Sequence, residues 1–445
     1  MKRDMTAGKE GKSILLFSLP IMGANFLQVL YGFADSVIVG NYVSSTALGA
    51  IGLTTSMTAL LVYFCSGLGS GLCVAVSQFF GARREREIKE LISTGFVMAF
   101  LLSFLLTVLC FFLSRPVIFG FLQTPANMGE GSLLYFRIYS CGLLFQMLYN
   151  AAYAVLRAHG DSRGALFFLL ISSALNILLD LLFVVVFRWG IAGAAVATVI
   201  SQAGSAVASL IYLGVLFPDL LPRFKYLGAW KEKSWLITRL SVPIIFQSMI
   251  NTLGFIVLQR LVNSFGEYSI EGYAAMQRIE NLAHIPSNSL NSALSSFTGQ
   301  NIGAQRLDRA KRGYHVTIRM GIIFSLILGA LVILFDEQLL QMFNITGESL
   351  RRGREHLDLL MLFIWAATIR NISCGFLQGA GDVKLPMLSG FVNLGTRLLL
   401  SYALAGTVVD FRCFYVSMPP AWLLATLIVV LRYRSGKWER FRVAK

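Results

Sequence analysis

The chain has 445 residues, of which 56% are hydrophobic and only 14% are charged. Soluble proteins carry about 25% charged residues, so this composition excludes an ordinary soluble protein and predicts a polytopic membrane protein. The net charge of +15 does not indicate a nucleic-acid partner, because the basic residues form short clusters between apolar runs rather than one patch with interleaved aromatic residues.

Apolar runs separated by charged residues, glycine and proline predict twelve transmembrane helices, six in each half of the chain. The predicted helices of the first half are 14–40, 46–79, 91–114, 132–157, 164–187 and 190–217. Those of the second half are 236–264, 271–300, 312–335, 353–377, 385–409 and 411–431. We therefore expect an all-α membrane protein with an N-lobe at 1–217, a cytoplasmic linker at 218–234, and a C-lobe at 235–445 that ends in a basic tail.

The distribution of lysine and arginine predicts the orientation of the chain in the membrane. The N-terminus, the C-terminus and the loops after helices 2, 4, 6, 8 and 10 contain 25 of these residues, whereas the opposite loops contain six. We expect both termini in the cytoplasm and the inner (plasma) membrane of a bacterium or archaeon as the location. The first apolar run is too long for a signal-peptide core, so we expect it to be kept as a span.

The two halves of the chain repeat each other in sequence at a nearly constant offset, which is close to half the chain length. The matched segments are 18–20 with 241–243 (Ser-x-Pro), 78–82 with 300–304 (Gln-x-x-Gly-Ala), and 156–161 with 377–382 (ending in Gly-Asp). Because each repeat holds an even number of spans, the halves share one orientation. We expect lobes related by an axis along the membrane normal, as in transporters that place their sites between or within such repeats.

The first apolar run carries one acid, Asp35, near its outer end. Asn25, Gln28 and Asp35 recur at helical spacing and form one polar stripe on an otherwise apolar helix. A carboxylate at the centre of a bilayer costs roughly 2.5 to 3.5 kcal/mol on insertion scales. Since Asn or Ser would pack as well, the acid indicates a site for a proton or a metal cation, the alternative being a hydrogen bond between helices.

Two further helices carry oxygen-bearing side chains at the same predicted depth as Asp35. Asn176 and Asp180 lie one turn apart in helix 5, and Thr198 lies about eight residues into helix 6. Two close carboxyl groups share a proton readily, and side-chain oxygens are also the ligands of a hard cation. The same site can thus serve H⁺ or Na⁺, with Asp35 and Asp180 as the possible Na⁺ ligands. The alternative is that Asp180 bonds elsewhere.

The second half lacks this pair, since Leu258 and Ser401 stand where Asp35 and Asp180 stand in the first half. Its membrane-depth charged residues are Glu280, Arg370 and Arg397, with Gln277 and His284 near Glu280 on the same helix. Glu280 either forms a structural ion pair with one of the arginines or lines a transport pathway. His284 is better interpreted as a hydrogen-bonded helix residue than as a metal ligand.

No motif in the chain predicts an enzyme. There is no Walker sequence, no Ser/His/Asp set at a plausible spacing, and no Cys-x-x-Cys pair among the six cysteines. We expect no cofactor apart from H⁺ or Na⁺ as a coupling ion.

The two six-helix repeats, the prolines that open helices 1 and 7, the Gln-x-x-Gly-Ala closures and the spacing of Asn176 and Asp180 resemble the multidrug and toxic compound extrusion (MATE) family. The resemblance covers nearly the whole chain. It implies a V-shaped pair of lobes, alternating access, and export of organic cations in exchange for H⁺ or Na⁺.

In one branch of that family the cation site lies in the N-lobe. Its residues map onto Asp35, Asn176, Asp180 and Thr198, and Tyr135 and Asn150 stand where that branch has supporting polar groups. Another branch has acids in helices 7 and 10. Here helix 7 has no membrane-embedded acid and helix 10 has Arg370, which favours coupling in the N-lobe.

We therefore expect a cation-coupled multidrug exporter, a monomer surrounded by membrane lipid, with small organic cations as substrates. An adaptable apolar pocket is expected from methionine and phenylalanine side chains. The candidates are Met57, Phe64, Phe145, Met147, Met249 and Met276. A flippase for lipid-linked sugars, which needs a basic cavity, and a channel or receptor scaffold remain alternatives.

Overall fold

The computed structural model describes residues 4–121, 124–343, 345–405 and 411–444, and within these ranges the chain is helical and contains no strand. Each predicted run coincides with one helix or with consecutive helices, so the all-α fold class is confirmed; the last residues of the run at 385–409 lie outside the described ranges. Within the same ranges, eight helical stretches are long and apolar enough to cross a membrane by length and composition.

The described part of the first half contains two π-helical segments, which lie at Pro116–Phe121 and Leu181–Val186, and seven α-helices. They are α1 (Glu10–Tyr42), α2 (Ser45–Gly81), α3 (Glu85–Arg115), α4 (Ala126–Cys141), α5 (Leu143–Ala158), α6 (Arg163–Asp180) and α7 (Gly190–Leu216). Short 3₁₀ segments at Pro218–Leu220 and Phe224–Ala229 then lead into the second half.

The second half contains further long helices, two short ones and a final 3₁₀ turn. They are α8 (Trp230–Asn263), α9 (Glu267–Ala283), α10 (Ile285–Gly303), α11 (Leu307–Leu334), α12 (Asp336–Gln341), α13 (Gly347–Gly379), α14 (Lys384–Ala405), α15 (Cys413–Val416), α16 (Met418–Arg434) and the 3₁₀ turn Lys437–Phe441. A proline stands at the start of α10 and of α16, where the missing N–H is least harmful. These prolines divide the predicted helices 271–300 and 411–431.

The described chain forms two compact units, which we call unit 1 (23–245) and unit 2 (4–22 with 246–445). The predicted N-lobe ended at 217, and the predicted C-lobe began at 235. The units therefore differ from those lobes at two places: the start of α1 packs in unit 2, and the start of α8 packs in unit 1.

Equivalent turns of the two halves have the same unusual backbone conformation. Gly160 and Gly381 occupy matched positions of the repeat and have φ of +82° and +89°. Arg83 and Gln305, which follow the two Gln-x-x-Gly-Ala closures, have φ of +57° and +59°. Positive φ is uncommon for residues other than glycine, so its occurrence at matched positions is a structural counterpart of the sequence repeat.

Side chains of α10 and α11 hold the segment before α1 in unit 2. Met5 is 1% exposed, and its backbone N–H donates to Gln300 Oε1 at 3.0 Å. The guanidinium of Arg309 donates to the carbonyl oxygens of Met5, Ala7 and Gly8, the last at 2.6 Å. These bonds replace the hydrogen bonds that water would otherwise supply to an irregular backbone.

Candidate functional site

The C-terminal parts of α1 and α6 and the start of α7 are held together by an apolar cluster. Ile38 and Val39 of α1 are buried with Ala194 of α7 and Val184 of the π-helical segment. Ile177 of α6 packs against the same cluster. Each of the three helices thus places its polar site residue within about one turn of this cluster, because residues three and four apart share a helix face.

Asp35 of α1 and Asp180 of α6 meet at this point. Their carboxyl groups form a hydrogen bond with each other. Asp180 is fully buried and Asp35 is partly buried. Among the described residues no N–H or hydroxyl group donates to Asp35 Oδ1 or Asp180 Oδ1, and no basic side chain pairs with either acid. A hydrogen bond between two carboxyl groups requires a proton on one of them, so two acids in this arrangement can share one proton.

Asn176 and Thr198 connect α6 to α7 beside the pair. With its amide oriented to satisfy both neighbours, Asn176 donates to Asp180 Oδ2 at 2.7 Å and accepts from the backbone N–H of Thr198 at 3.3 Å. Thr198 Oγ1 donates to Ala194 O at 3.0 Å and is hydrogen-bonded to the hydroxyl of Tyr31. Tyr31 lies one turn before Asp35 in α1, so the chain of hydrogen bonds runs between all three helices.

Unit 1 contains a partly open cavity of about 680 Å³ next to this network. Its lining contains six tyrosines and many amide and hydroxyl side chains, and none of the described residues that line it is charged. The tyrosines are Tyr31, Tyr63, Tyr135, Tyr139, Tyr149 and Tyr153. Tyr31 and Thr198 belong both to the cavity wall and to the hydrogen-bond network, so they form the connection between cavity and acids.

The predicted polar residues of the first half all lie in this region. Asn25, Gln28, Tyr135 and Asn150 line the cavity, and Tyr135 is close enough to Asp35 for an electrostatic interaction. Sequence reasoning missed Tyr31, although its position one turn before Asp35 was a usable signal. It also missed Gln146 and Gln202, which hydrogen-bond to Tyr139.

The charged residues of the second half form separate contacts in unit 2. Glu280 Oε1 lies 3.5 Å from His284 Nε2, and Gln277 lies one turn earlier on α9, partly buried. Arg397 is buried and hydrogen-bonds to Tyr273. Arg370 of α13 is partly buried and forms no ion pair within the described residues.

None of the six predicted methionine and phenylalanine residues lines the cavity of unit 1. Met57 packs with Ile118, Leu133 and Phe136, and Met276 is buried in the apolar core of unit 2. Met147 is buried, whereas Phe64, Phe145 and Met249 are partly buried. The aromatic surface of this cavity comes from tyrosine.

Curated proteins similar to this chain carry names of drug-resistance proteins. The probable multidrug resistance protein YpnP of Bacillus subtilis is 28% identical over 442 residues, which are 99% of this chain and 98% of the relative. YoeA of the same organism, likewise named a probable multidrug resistance protein, is 28% identical over 98% of this chain and 95% of its own length. The probable multidrug resistance protein NorM of Thermotoga maritima is 22% identical over 96% of this chain and 93% of its own length.

Solved structures of MATE proteins share the fold over nearly the whole chain. A MATE crystal structure in complex with MaD3S has a TM-score of 0.91 at 20% identity and covers 98% of both chains. An outward-facing multidrug resistance MATE transporter has a TM-score of 0.89 at 21% identity, again with 98% coverage of both. At this identity the likeness establishes the fold, including the twelve transmembrane helices predicted from the sequence.

The sequence model of one family, MatE, matches the chain twice, at residues 20–182 and 243–403. The two matches begin at the prolines of the paired Ser-x-Pro segments, so they stand in the same register as the internal repeat. Together they cover more than half of the chain. This chain belongs to the MatE family, whose members are membrane transporters and not enzymes.

Proposed function

We propose that this protein exports small organic cations by alternating access, in exchange for protons that bind between Asp35 and Asp180. The observation that carries the proposal is the carboxyl pair of the partly buried Asp35 and the buried Asp180, which meet across α1 and α6 beside a cavity of drug-sized volume. Buried ionisable groups inside a membrane protein are costly and are kept where they carry protons or ions. The names of the relatives support small-molecule drugs as the substrate class.

The hydrogen bonds around the pair favour H⁺ over Na⁺ as the coupling ion. The amide of Asn176 turns an N–H toward Asp180 and uses its oxygen to accept from Thr198. The hydroxyl of Thr198 is engaged by Ala194 and Tyr31. Hard cations take about six or more oxygen ligands, whereas among the described side chains of this network only Asp35 Oδ1 and Asp180 Oδ1 are buried oxygens without a hydrogen bond.

The tyrosine-lined cavity suits an organic cation that has shed its water. Aromatic faces attract cations, by about 0.5 to 2 kcal/mol for each contact. Amide and hydroxyl groups supply hydrogen bonds without imposing a fixed counter-charge. We infer that drug and proton are linked through Tyr31 and Thr198. Loss of the shared proton changes the net charge of the pair from −1 to −2, which strengthens cation binding in the cavity, and return of the proton weakens it.

Exchange of charges makes export feasible. Moving one elementary charge against a membrane potential of 100 mV costs about 2.3 kcal/mol. One proton that enters offsets the electrical cost of one monovalent cation that leaves, so the proton concentration gradient drives net export. We place both termini in the cytoplasm, on the basis of the lysine and arginine distribution, and the chain as a monomer in the bacterial or archaeal plasma membrane.

Everted membrane vesicles energised in sodium-free buffer test the proposal. Wild-type vesicles should accumulate ethidium and, when ethidium is added, lose part of their imposed pH gradient. Vesicles that move ethidium only when Na⁺ is present would contradict proton coupling. Vesicles that translocate only lipid-linked sugars would identify a flippase, and ethidium movement independent of any gradient would identify a channel.

A further inference from the structure

We propose that unit 2 contains an anion-binding subsite centred on Arg370, which takes the carboxylate or phosphate group of a transported molecule. The inference deepens the proposed export function, on which the identity of its ligand rests. It would make zwitterionic compounds, and not only cations, substrates of the protein.

The internal repeat locates the subsite. In unit 1 the α5 residues Tyr149, Asn150 and Tyr153 line the cavity. The matching segments 156–161 and 377–382 contain the ends of α5 and α13, and their register relates these residues to three α13 residues of unit 2. These are Arg370, Asn371 and Cys374.

Two other wall positions of the unit 1 cavity also have polar equivalents in unit 2. Ser172 of α6 corresponds to Asn393 of α14 in the register of the same segments. Ala24 of α1 corresponds to Gln247 of α8 in the register of the paired Ser-x-Pro segments. At these five positions the equivalent residues of unit 2 are three amides, a cysteine and an arginine, and Arg370 places a positive charge where unit 1 has an uncharged tyrosine.

Contacts in unit 2 bring these equivalent residues together. Cys374 Sγ lies 3.8 Å from Ser389 Oγ, and Gln378 Nε2 donates to Gln247 Oε1 at 2.9 Å. A Cβ atom on Gly390 would lie 3.6 Å from Gln247 Cγ. The helices α8, α13 and α14 thus converge on one polar face, formed on α13 by residues 370, 374 and 378 at four-residue spacing.

Arg370 and Asn393 lie at equal depth on this face. The helices α13 and α14 are consecutive spans and run in opposite directions, and the contact between Cys374 and Ser389 sets their register. One turn outward from this contact is Arg370 on α13 and Asn393 on α14. Each has a buried polar atom without a hydrogen-bond partner, Nε of Arg370 and Oδ1 of Asn393.

Arg370 has no counter-charge within the part of the chain that the structure describes. No ion pair or hydrogen bond joins it to another side chain, while Glu280, the acid at membrane depth in this unit, lies against His284. The end of α13 at Gly379 lies nine residues after Arg370, a distance of about 14 Å along the helix at a rise of 1.5 Å per residue. An unpaired guanidinium at that depth is unfavourable, and its planar fork of donors matches a carboxylate or phosphate.

A pair of dyes isolates the anionic group. Rhodamine 110 carries a free carboxylate, and rhodamine 123 is its methyl ester, a cation without that charge. Binding is measured by fluorescence anisotropy on the purified full chain in uncharged detergent, so that no lipid phosphate is present and no ion gradient is needed. We expect Arg370→Gln to weaken binding of rhodamine 110 by about 10- to 100-fold and to change that of rhodamine 123 less than about threefold.

Two further variants separate charge from folding. Arg370→Lys keeps the charge and should retain most of the preference for rhodamine 110. Arg319→Gln removes an exposed arginine of α11 and should alter neither affinity. Equal losses for both dyes in Arg370→Gln, or no loss for either, would overturn the subsite.

The wild-type protein gives a test that needs no variant. Benzoate should displace rhodamine 110 but not rhodamine 123, and added phosphatidylglycerol should displace neither. Displacement by phosphatidylglycerol without displacement by benzoate would overturn the transported-molecule assignment in favour of a lipid phosphate. Because these are equilibrium measurements, they stand even if the vesicle experiment disproves proton-coupled export.

Discussion

At the scale of single residues, the protonation of Asp35 depends on Asp180, and the protonation of Asp180 depends on Asp35. Each acid lacks a basic partner among the described residues, and each faces the other carboxyl group. Groups that share one proton act as a unit, and their titration belongs to the pair.

Replacing either acid should therefore be as damaging as replacing both. We expect Asp35→Asn, Asp180→Asn and the double variant to lose ethidium-driven proton movement to the same extent, because one neutral side chain already removes the exchangeable proton. The readout is the pH gradient of everted vesicles. Glu85→Gln, at an exposed acid at the start of α3, is the matched control and should behave as wild type. Additive losses from the two single variants would contradict a shared proton.

Tyr31 is one of the two residues, with Thr198, that connect the cavity wall to the acid pair. Tyr31→Phe removes the hydroxyl bonded to Thr198 and should lower the protons moved per ethidium by about two- to tenfold, the effect of one hydrogen bond. Tyr63→Phe, in the same cavity wall but without a link to the acids, serves as the control. Equal ratios in both variants would show that the hydroxyl of Tyr31 plays no part in coupling.

Single residues also show why part of the site was readable from the sequence. A carboxylate in an apolar run is conspicuous because its burial is costly, and spacing placed Asn176, Asp180 and Thr198 at one depth. A tyrosine in such a run is ordinary. Which of the 15 tyrosines line the cavity depends on the rotation of each helix about its axis, which tertiary packing determines.

At the scale of helices, close approaches along α2 position the cavity wall. A Cβ on Gly69 would lie 2.9 Å from the carbonyl oxygen of Asn150, and one on Gly71 would lie 2.7 Å from the backbone nitrogen of Ser241. Small residues at such places let helix backbones approach each other in membrane proteins.

The same helix offers a matched pair of substitutions. Gly71→Ala should destabilise the protein by about 1 to 3 kcal/mol, since the added methyl meets backbone that cannot move away easily. Gly52→Ala meets no atom within 4 Å and should be neutral. Thermal unfolding of both variants in detergent, followed by tryptophan fluorescence, compares them. An unfolding midpoint for Gly71→Ala at the wild-type value would show that α2 has more room than the structure describes.

The sequence predicted most of the helix positions, but it predicted only some of the breaks within the helices. The prolines near the starts of α10 and α16 are visible signals for the breaks within the predicted helices 271–300 and 411–431. The π-helical segments at Pro116–Phe121 and Leu181–Val186 are not visible in the apolar pattern, because a single wider turn changes which side chains face the core without changing their composition.

At the scale of the whole molecule, the start of α1 is fixed in unit 2 by Arg309, whose guanidinium serves three backbone carbonyls. Arg309→Ala should lower the unfolding midpoint by several degrees, because those carbonyls lose a charged donor worth about 1.5 to 3 kcal/mol. Arg319→Ala, on the exposed face of α11, is the control. A midpoint unchanged by Arg309→Ala would show that the packing of Met5 and its hydrogen bond to Gln300 hold the segment before α1 without Arg309.

The two halves share a scaffold and differ in chemistry. The family match and the paired left-handed turns relate them residue by residue, yet the positions of Asp35 and Asp180 are Leu258 and Ser401 in the second half. Ser401 Oγ bonds to Ser417 Oγ at 2.7 Å, a neutral contact with no proton to exchange. Matched motifs in the sequence were enough to predict the repeat. They could not predict that the start of α1 packs in unit 2 and the start of α8 in unit 1, because the motifs do not indicate which residues a helix end contacts.

The central claim is that an organic cation in unit 1 displaces a proton held by Asp35 and Asp180. Its most direct test is the pH change when ethidium is added to the purified protein in weakly buffered, sodium-free detergent solution. We predict proton release by the wild type, in proportion to the ethidium bound, and none by Asp35→Asn or Asp180→Asn. Ethidium binding by the wild type without proton release, or equal release by the variants, would contradict the account.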